Sequence, residues 1–184
     1  MSQCSRSHDV LGVSVAGMTS YEMTPIGFVR SSRALAVDDD WNNETSTIDL
    51  IAPFDARALQ GLHEFSHAVI VFAFDKASWD DLRMARHPRG NEAWPEVGIF
   101  AQRAKDRPNR IGVSTCRILG VEGATVRLQG LDAIDGTPLL DIKPTRRNSV
   151  PVALWRNPVG RANSCKGIGI SSSMSTYMQP GDPR

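Results

Sequence analysis

The sequence predicts a mainly β fold, an antiparallel sheet that closes on itself or folds over. Two observations predict it. Short apolar or alternating stretches recur between turn signals, with little helical periodicity among them. And no glycine-rich loop joins a strand to a long helix, which argues against a doubly wound nucleotide-binding layer.

The first strand is "PIGFVRS", Pro25 to Ser31. "STIDLI" (Ser46 to Ile51) alternates polar and apolar residues, the pattern of a half-buried strand. "DARALQGL" (Asp55 to Leu62) has an aspartate at an N-cap position and Gly61 near its end, so one or two helical turns are expected. "HAVIVFAF" (His67 to Phe74) is apolar throughout, as in a central strand covered on both faces. Pro88, Gly90, Asn91 and Pro95 make the segment from Asp75 to Pro95 irregular. Four more strands follow: Val97 to Phe100, Ile111 to Val121, Ala124 to Leu131 and Pro138 to Ile142. Glu122-Gly123 is a hairpin signal between the second and third of these. Residues 25–144 read as the ordered domain. Residues 1–24 read as a flexible leader rather than a signal peptide, because "VLGVSVAG" is short and follows Asp9. Residues 145–184, rich in proline and serine, read as an extended or partly disordered C-terminal arm.

Composition narrows the class. The 184 residues are 41% apolar and 22% charged, ordinary for a globular domain, and the net charge is only +1. No overall field draws the chain to nucleic acid or membrane, so such a partner needs a local patch. Cys4, Cys116 and Cys165 are odd in number and far apart. They form neither a disulfide framework nor a metal-ligand spacing, which fits a reducing, cytoplasmic setting and no metal.

Three polar stretches could carry chemistry. Between Arg83 and Arg117 eight basic residues face three acids. They include Arg103, Lys105, Arg107 and Arg110 of "FAQRAKDRPNRIG". This is either a solvated loop turning at Pro108-Asn109 or a phosphate-binding surface. In "GLDAIDGTPLLDIKP" the aspartates either cap a turn at Asp135-Gly136 or hold the hydroxyls or cation of a ligand. "VDDDWNNE" is either a solvent loop or a lip over a pocket, with Trp41 as a stacking face. His67, at the start of an apolar strand, reads as a core or hydrogen-bonded histidine, and Cys116 as a packed thiol.

Taken together, "PIGFVRS", "APFDARALQGLHEFSHAVIVFAF", "RHPRGNEAWPEVGIFAQRAKDRPNRIGVS" and "GLDAIDGTPLLDIKP" resemble the TsaA-like (TrmO or YaeB) tRNA methyltransferases in order and spacing. The resemblance covers about Pro25 to Pro144. It implies a single closed antiparallel β-barrel, a homodimer, and S-adenosyl-L-methionine as cofactor. The implied activity is N6-methylation of threonylcarbamoyladenosine beside the tRNA anticodon. It also implies a cofactor grip by Arg103, by Asp132, Ala133, Ile134 and Asp135, by Val113, and by Asp75 and Lys76, which stand where the family has His-Gln. The chain departs from the family at Arg110, where proline is usual, and in "DDDWNN", which resembles a shorter-loop branch.

The chemistry then assigns roles. Arg103 suits the cofactor carboxylate, and Asp132 or Asp135 its ribose hydroxyls or amino group. Phe100 and Trp41 suit stacking or covering the sulfonium. Asp135 and Asp40, with Asp39, are the candidate proton acceptors. Lys105, Arg107, Asn109 and Arg110, with Trp41, are the candidate tRNA contacts in the anticodon stem-loop. A small-molecule acceptor for the same cofactor, or a non-catalytic cofactor-binding module, are the other readings.

Overall fold

A computed structural model describes residues 21–35 and 41–146. The expected leader up to residue 20, the acids Asp38, Asp39 and Asp40, and the arm from residue 147 lie outside the described residues.

The chain forms β1 (Gly27–Arg30), β2 (Thr45–Leu50), β3 (His67–Ala73), β4 (Ala85–Arg86), β5 (Val97–Gly98), β6 (Ile111–Glu122), β7 (Thr125–Gln129) and β8 (Pro138–Pro144). Six of these close a barrel in the order β1-β2-β7-β6-β3-β8, and β4 pairs with β5 in a separate ribbon. Every pairing is antiparallel. The expected mainly β, closed fold is therefore what forms.

Alternation along the strands supplies the core. Val29, Ile48, Ala68, Ile70, Phe72, Cys116, Val126, Leu128 and Leu139 are buried in one cluster. Leu59 and Leu62 join it from 3₁₀ turns at Ala56–Leu59 and Leu62–Glu64, and Leu131 and Ala133 join from the β7–β8 loop. Asp55 caps the first turn as expected, accepting the Arg57 N–H at 2.9 Å.

Three local expectations need correction. β3 is covered on one face only: Ala68, Ile70 and Phe72 are buried, whereas Val69 and Val71 are half-buried on the barrel's outside. A barrel strand has one inner face, however apolar its outer residues. The strand expected over Val97 to Phe100 stops at Gly98, and Ile99–Ala101 forms a 3₁₀ turn. Its only partner, β4, is two residues long. His67 is exposed, not core, with Nδ1 3.0 Å from the Ser66 hydroxyl. It keeps the hydrogen-bonded half of its reading.

Gly112 pairs with Phe72 across β6 and β3. A Cβ on Gly112 would lie 2.3 Å from the Phe72 ring, which is 1% exposed and has nowhere to swing. Gly112→Ala is expected to destabilise the barrel by about 1–3 kcal/mol, read as a lower denaturant midpoint at unchanged slope. An unchanged midpoint would mean that the ring is not packed on this glycine.

Candidate functional site at one end of the barrel

The strand directions gather three loops at one barrel end. β1 exits there and β2 enters, β3 exits and β6 enters, and β7 exits and β8 enters, as the antiparallel registers require. The loops are residues 31–44, 74–110 and 130–137. Among the described residues, they hold every candidate site residue except Val113, which lies two residues into β6 from the same end.

The 74–110 excursion is held by a buried charge cluster. Asp106 is 5% exposed. It accepts from Arg86 Nη1 at 3.1 Å and from Lys105 Nζ at 2.9 Å. Burial pushes the Asp106 carboxyl up, but the hydrogen bonds and charges of Lys105 and Arg86 outweigh it, leaving the group below its ordinary range. Gln102 Nε2 donates to the carbonyls of Val97 and Arg86 at 2.8 and 3.1 Å. Arg107 Nη1 donates to the Gln102 carbonyl at 2.7 Å, and its guanidinium lies 5.8 Å from the Phe100 ring centre. Phe100 itself is 77% exposed. The exposed Asp75 and Lys76 sit in a turn fixed by Arg110, whose Nη1 donates to the Ala77 carbonyl at 2.9 Å. Arg110 has φ 51, a conformation closed to proline.

Arg103 reaches the start of β6. The Arg103 guanidinium donates to the Val113 carbonyl. Asp132 is close enough that its charge adds to burial in pushing the Cys116 thiol up to about 12, so Cys116 is the packed, unreactive thiol expected. From Val113 to Cys116 is about 10 Å of strand. β3 pairs with β6 from Ile111 to Arg117, but β7 pairs only from Arg117 onward. Among the described residues, 111–116 therefore pair with a strand on one side alone.

The aspartate turn serves the frame first. Ile134 to Thr137 is closed by a Thr137 N–H bond to the Ile134 carbonyl at 3.2 Å, with Gly136 at φ 79, as a type II turn requires. The Asp135 carboxylate accepts the Ser31 N–H at 3.1 Å, and the Asp135 N–H donates to the Arg33 carbonyl at 2.8 Å. Capping a turn is thus the reading its contacts favour. Ala133 is buried and Ile134 half-buried, so these two can offer a ligand main chain more readily than side chain.

Trp41 is 7% exposed and lies under the Arg33 guanidinium at 4.5 Å, which corrects the expected exposed lip. Arg33 is itself paired with Glu44 at 3.2 Å. The basic surplus also shrinks in context. The whole 74–110 excursion carries eight basic residues against six acids, and Asp106 occupies two of the bases. Lys105 is thereby paired, and Arg107 and Arg110 are bonded to carbonyls, while Asn109 is exposed. Arg86, Gln102 and Asp106 were not among the candidate residues. The signal for Asp106 was its place as the lone acid in a basic run. A shallow apolar depression lined by Leu59, Gly61, His63 and Val121 lies at the opposite barrel end, away from all of these. Among the described residues no cluster of metal-ligating side chains occurs, and no helix is long and apolar enough to cross a membrane.

Barrel and loops together define a small antiparallel β-barrel whose candidate-site loops share one end. The family profile described as the tRNA-methyltransferase O N-terminal domain matches residues 37–149. A putative S-adenosylmethionine-dependent methyltransferase, RcsF, of Pseudomonas aeruginosa is 38% identical over 169 residues, covering 87% of this chain and 71% of that protein. The tRNA (adenine(37)-N6)-methyltransferase of Escherichia coli K12 is 34% identical over 137 residues, covering 69% of this chain and 58% of its own. The crystal structure of TrmO from Pseudomonas aeruginosa superposes with a TM-score of 0.63 at 32% identity, covering 77% of this chain and 62% of that one. The chain belongs to the tRNA-methyltransferase O N-terminal domain family.

Asp106→Asn removes the charge that Arg86 and Lys105 share, and both partners are partly exposed. A loss of about 1–3 kcal/mol is expected, measured by chemical denaturation. The folded pKa is depressed, so this stabilisation is full above the ordinary carboxylate pKa and is lost as pH falls through the folded value. Wild type and variant should therefore converge in stability below about pH 4; a constant gap down to pH 2 would contradict the ionic role.

Proposed function

We propose that this protein is an S-adenosyl-L-methionine-dependent methyltransferase acting on the exocyclic nitrogen of the adenine beside the tRNA anticodon. The finer substrate we propose is threonylcarbamoyladenosine. One observation carries the reading: the Arg103 guanidinium is held on the Val113 carbonyl, in the stretch of β6 that pairs with β3 and not with β7. The relatives' names, a putative S-adenosylmethionine-dependent methyltransferase and a tRNA (adenine(37)-N6)-methyltransferase, support it.

The residues present fit the cofactor's parts. Arg103 can exchange the Val113 carbonyl for a carboxylate, a stronger, charge-assisted partner. Asp132 can accept from ribose hydroxyls. The edge of β6 that β7 does not pair has main-chain donors and acceptors that a ligand could engage. When bound, the cofactor supplies an electrophilic methyl group. The chain's part is to hold the acceptor nitrogen in line with it; positioning of this kind is worth on the order of 7–11 kcal/mol. The proton lost from the nitrogen needs an acceptor. Asp135 has one oxygen committed to the Ser31 N–H and keeps the other, and Asp40 lies outside the described residues. Asp75, Lys76 and Phe100 belong to the proposed cofactor surround, and Asn109 with the arginines to the proposed tRNA contacts. A cytoplasmic homodimer is part of the same proposal.

The test is calorimetric titration of S-adenosylmethionine, with mass analysis of nucleosides from tRNA incubated with the protein. Arg103→Ala is expected to weaken cofactor binding by at least tenfold, about 1.4 kcal/mol, with the fold intact. Tight cofactor binding by that variant would sink the assignment of Arg103. Methyl transfer to a small molecule with none to tRNA would favour a metabolite enzyme.

A further inference from the structure

The 74–110 excursion carries more exposed apolar surface than a solvated loop needs. Trp79 is 58% exposed, Met84 73% and Phe100 77%. Two of them are neighbours in the fold: the Ile99 N–H donates to the Met84 carbonyl at 2.9 Å, which sets Met84 beside the start of Phe100's turn. Trp79 stands on a turn of the same excursion, closed by the Leu82 N–H on the Trp79 carbonyl at 3.0 Å. Exposed aromatic side chains on a fixed loop mark a contact surface.

The charges beside them say which contact. Arg83 Nη1 donates to the carbonyls of Asp80 and Leu82 at 2.7 and 3.0 Å. Arg103 and Arg107 likewise donate to main-chain carbonyls, of Val113 and of Gln102 and Ile99. A carbonyl fixes a guanidinium without cancelling its charge; a carboxylate, like that of Asp106 beside Arg86, fixes it and cancels it. The excursion thus interleaves oriented, uncancelled cations with aromatic faces. Phosphates and unstacked bases alternate in the same way along single-stranded RNA. A paired duplex offers the phosphates but hides the base faces.

We infer that the outer surface of the 74–110 excursion, with Trp79 at its rim, is the platform on which the unpaired loop of the RNA substrate stacks. This deepens the tRNA reading above and rests on it. Phe100 and Arg103 belong to the proposed cofactor surround, whereas Trp79, Met84 and Arg83 lie outside it, so RNA contact is tested on Trp79 and Arg83.

The experiment uses the full chain, an anticodon stem-loop RNA and a fully paired RNA duplex of equal length, with binding followed by fluorescence anisotropy against salt. Trp79→Ala should weaken stem-loop binding by roughly 5- to 150-fold at unchanged salt slope. Trp79→Phe should restore most of it. Arg83→Gln should lower the salt slope by about one. Cofactor affinity of Trp79→Ala, by calorimetry, should match wild type. Equal binding of stem-loop and duplex, or wild-type stem-loop affinity in Trp79→Ala, overturns the platform while leaving the tRNA reading standing if tRNA is still methylated. A change in oligomeric state of Trp79→Ala in sedimentation assigns the surface to a second copy of the chain and also overturns it. A wild-type protein that binds cofactor but neither binds nor methylates tRNA removes the underlying reading itself.

Discussion

The structure depends on how the barrel closes between β1 and β8. That seam has only two paired residues, Gly27 with Leu139 and Phe28 with Pro138. The other barrel pairings run over four to seven. A sheet left open at so short a seam would expose two edges. The Ile134–Thr137 turn lengthens it. Its backbone exchanges hydrogen bonds with Val29 in both directions, at 2.8 and 3.0 Å, and Asp135 carries the contact on to Ser31 and Arg33. Gly136 makes this possible, because only a residue at ease with positive φ lets the turn fold back along β1. A motif that looks like a ligand clamp in the sequence is thus first a clasp on the barrel, and closure is what holds the three loops at one end.

The second constraint is a mismatch of strand lengths. β6 has twelve residues and β7 five. Their hairpin pairs them from one end, so the surplus of β6 projects past β7 with one edge unladdered. Main-chain polar groups near a barrel mouth need partners. Arg103 meets one of them, the Val113 carbonyl. This gap in the hydrogen-bond ladder, beside a guanidinium, is the feature on which the proposed cofactor site rests. The barrel supplies rigidity and the mismatch supplies the vacancy in the ladder; neither needs a nucleotide-binding α/β layer.

Most of the fold was legible because barrel strands obey a simple alternation. All six barrel strands were found within one to two residues of where they lie, and the Glu122-Gly123 hairpin fell in place. What misled was apolar residue count taken for burial. "HAVIVFAF" is apolar on both faces, yet a closed barrel covers only the inner one. Trp41 misled in the opposite sense: an aromatic among acids looks exposed, but Arg33, eight residues earlier, folds over its ring. No local pattern reports a contact made across a loop. Of the candidate site, the motifs singled out Arg103 and the aspartate turn, but that Arg103 reaches the Val113 carbonyl is a contact made across a loop, which a single sequence does not display.

The same lesson applies to charge, and it turns on where each cation's partner comes from. A window cut at Arg83 and Arg117 counts a surplus of five, yet the full excursion that folds as a unit has a surplus of two. Counting residues therefore overstates the field. Counting partners changes the picture again. Asp106 draws Arg86 and Lys105 inward, into the base of the excursion, where their charge is spent on holding it together. Arg83, Arg103, Arg107 and Arg110 are held by carbonyls, which are dipoles and leave the net charge in place. Screening over about 10 Å at 0.1 M salt makes only the nearest charges felt by a ligand, so the position of these four groups at the barrel mouth outweighs the near-neutral total. A protein of net charge +1 can bind a polyanion on those terms, provided that the loop bearing the cations is rigid. The buried carboxylate of Asp106 is what makes it so.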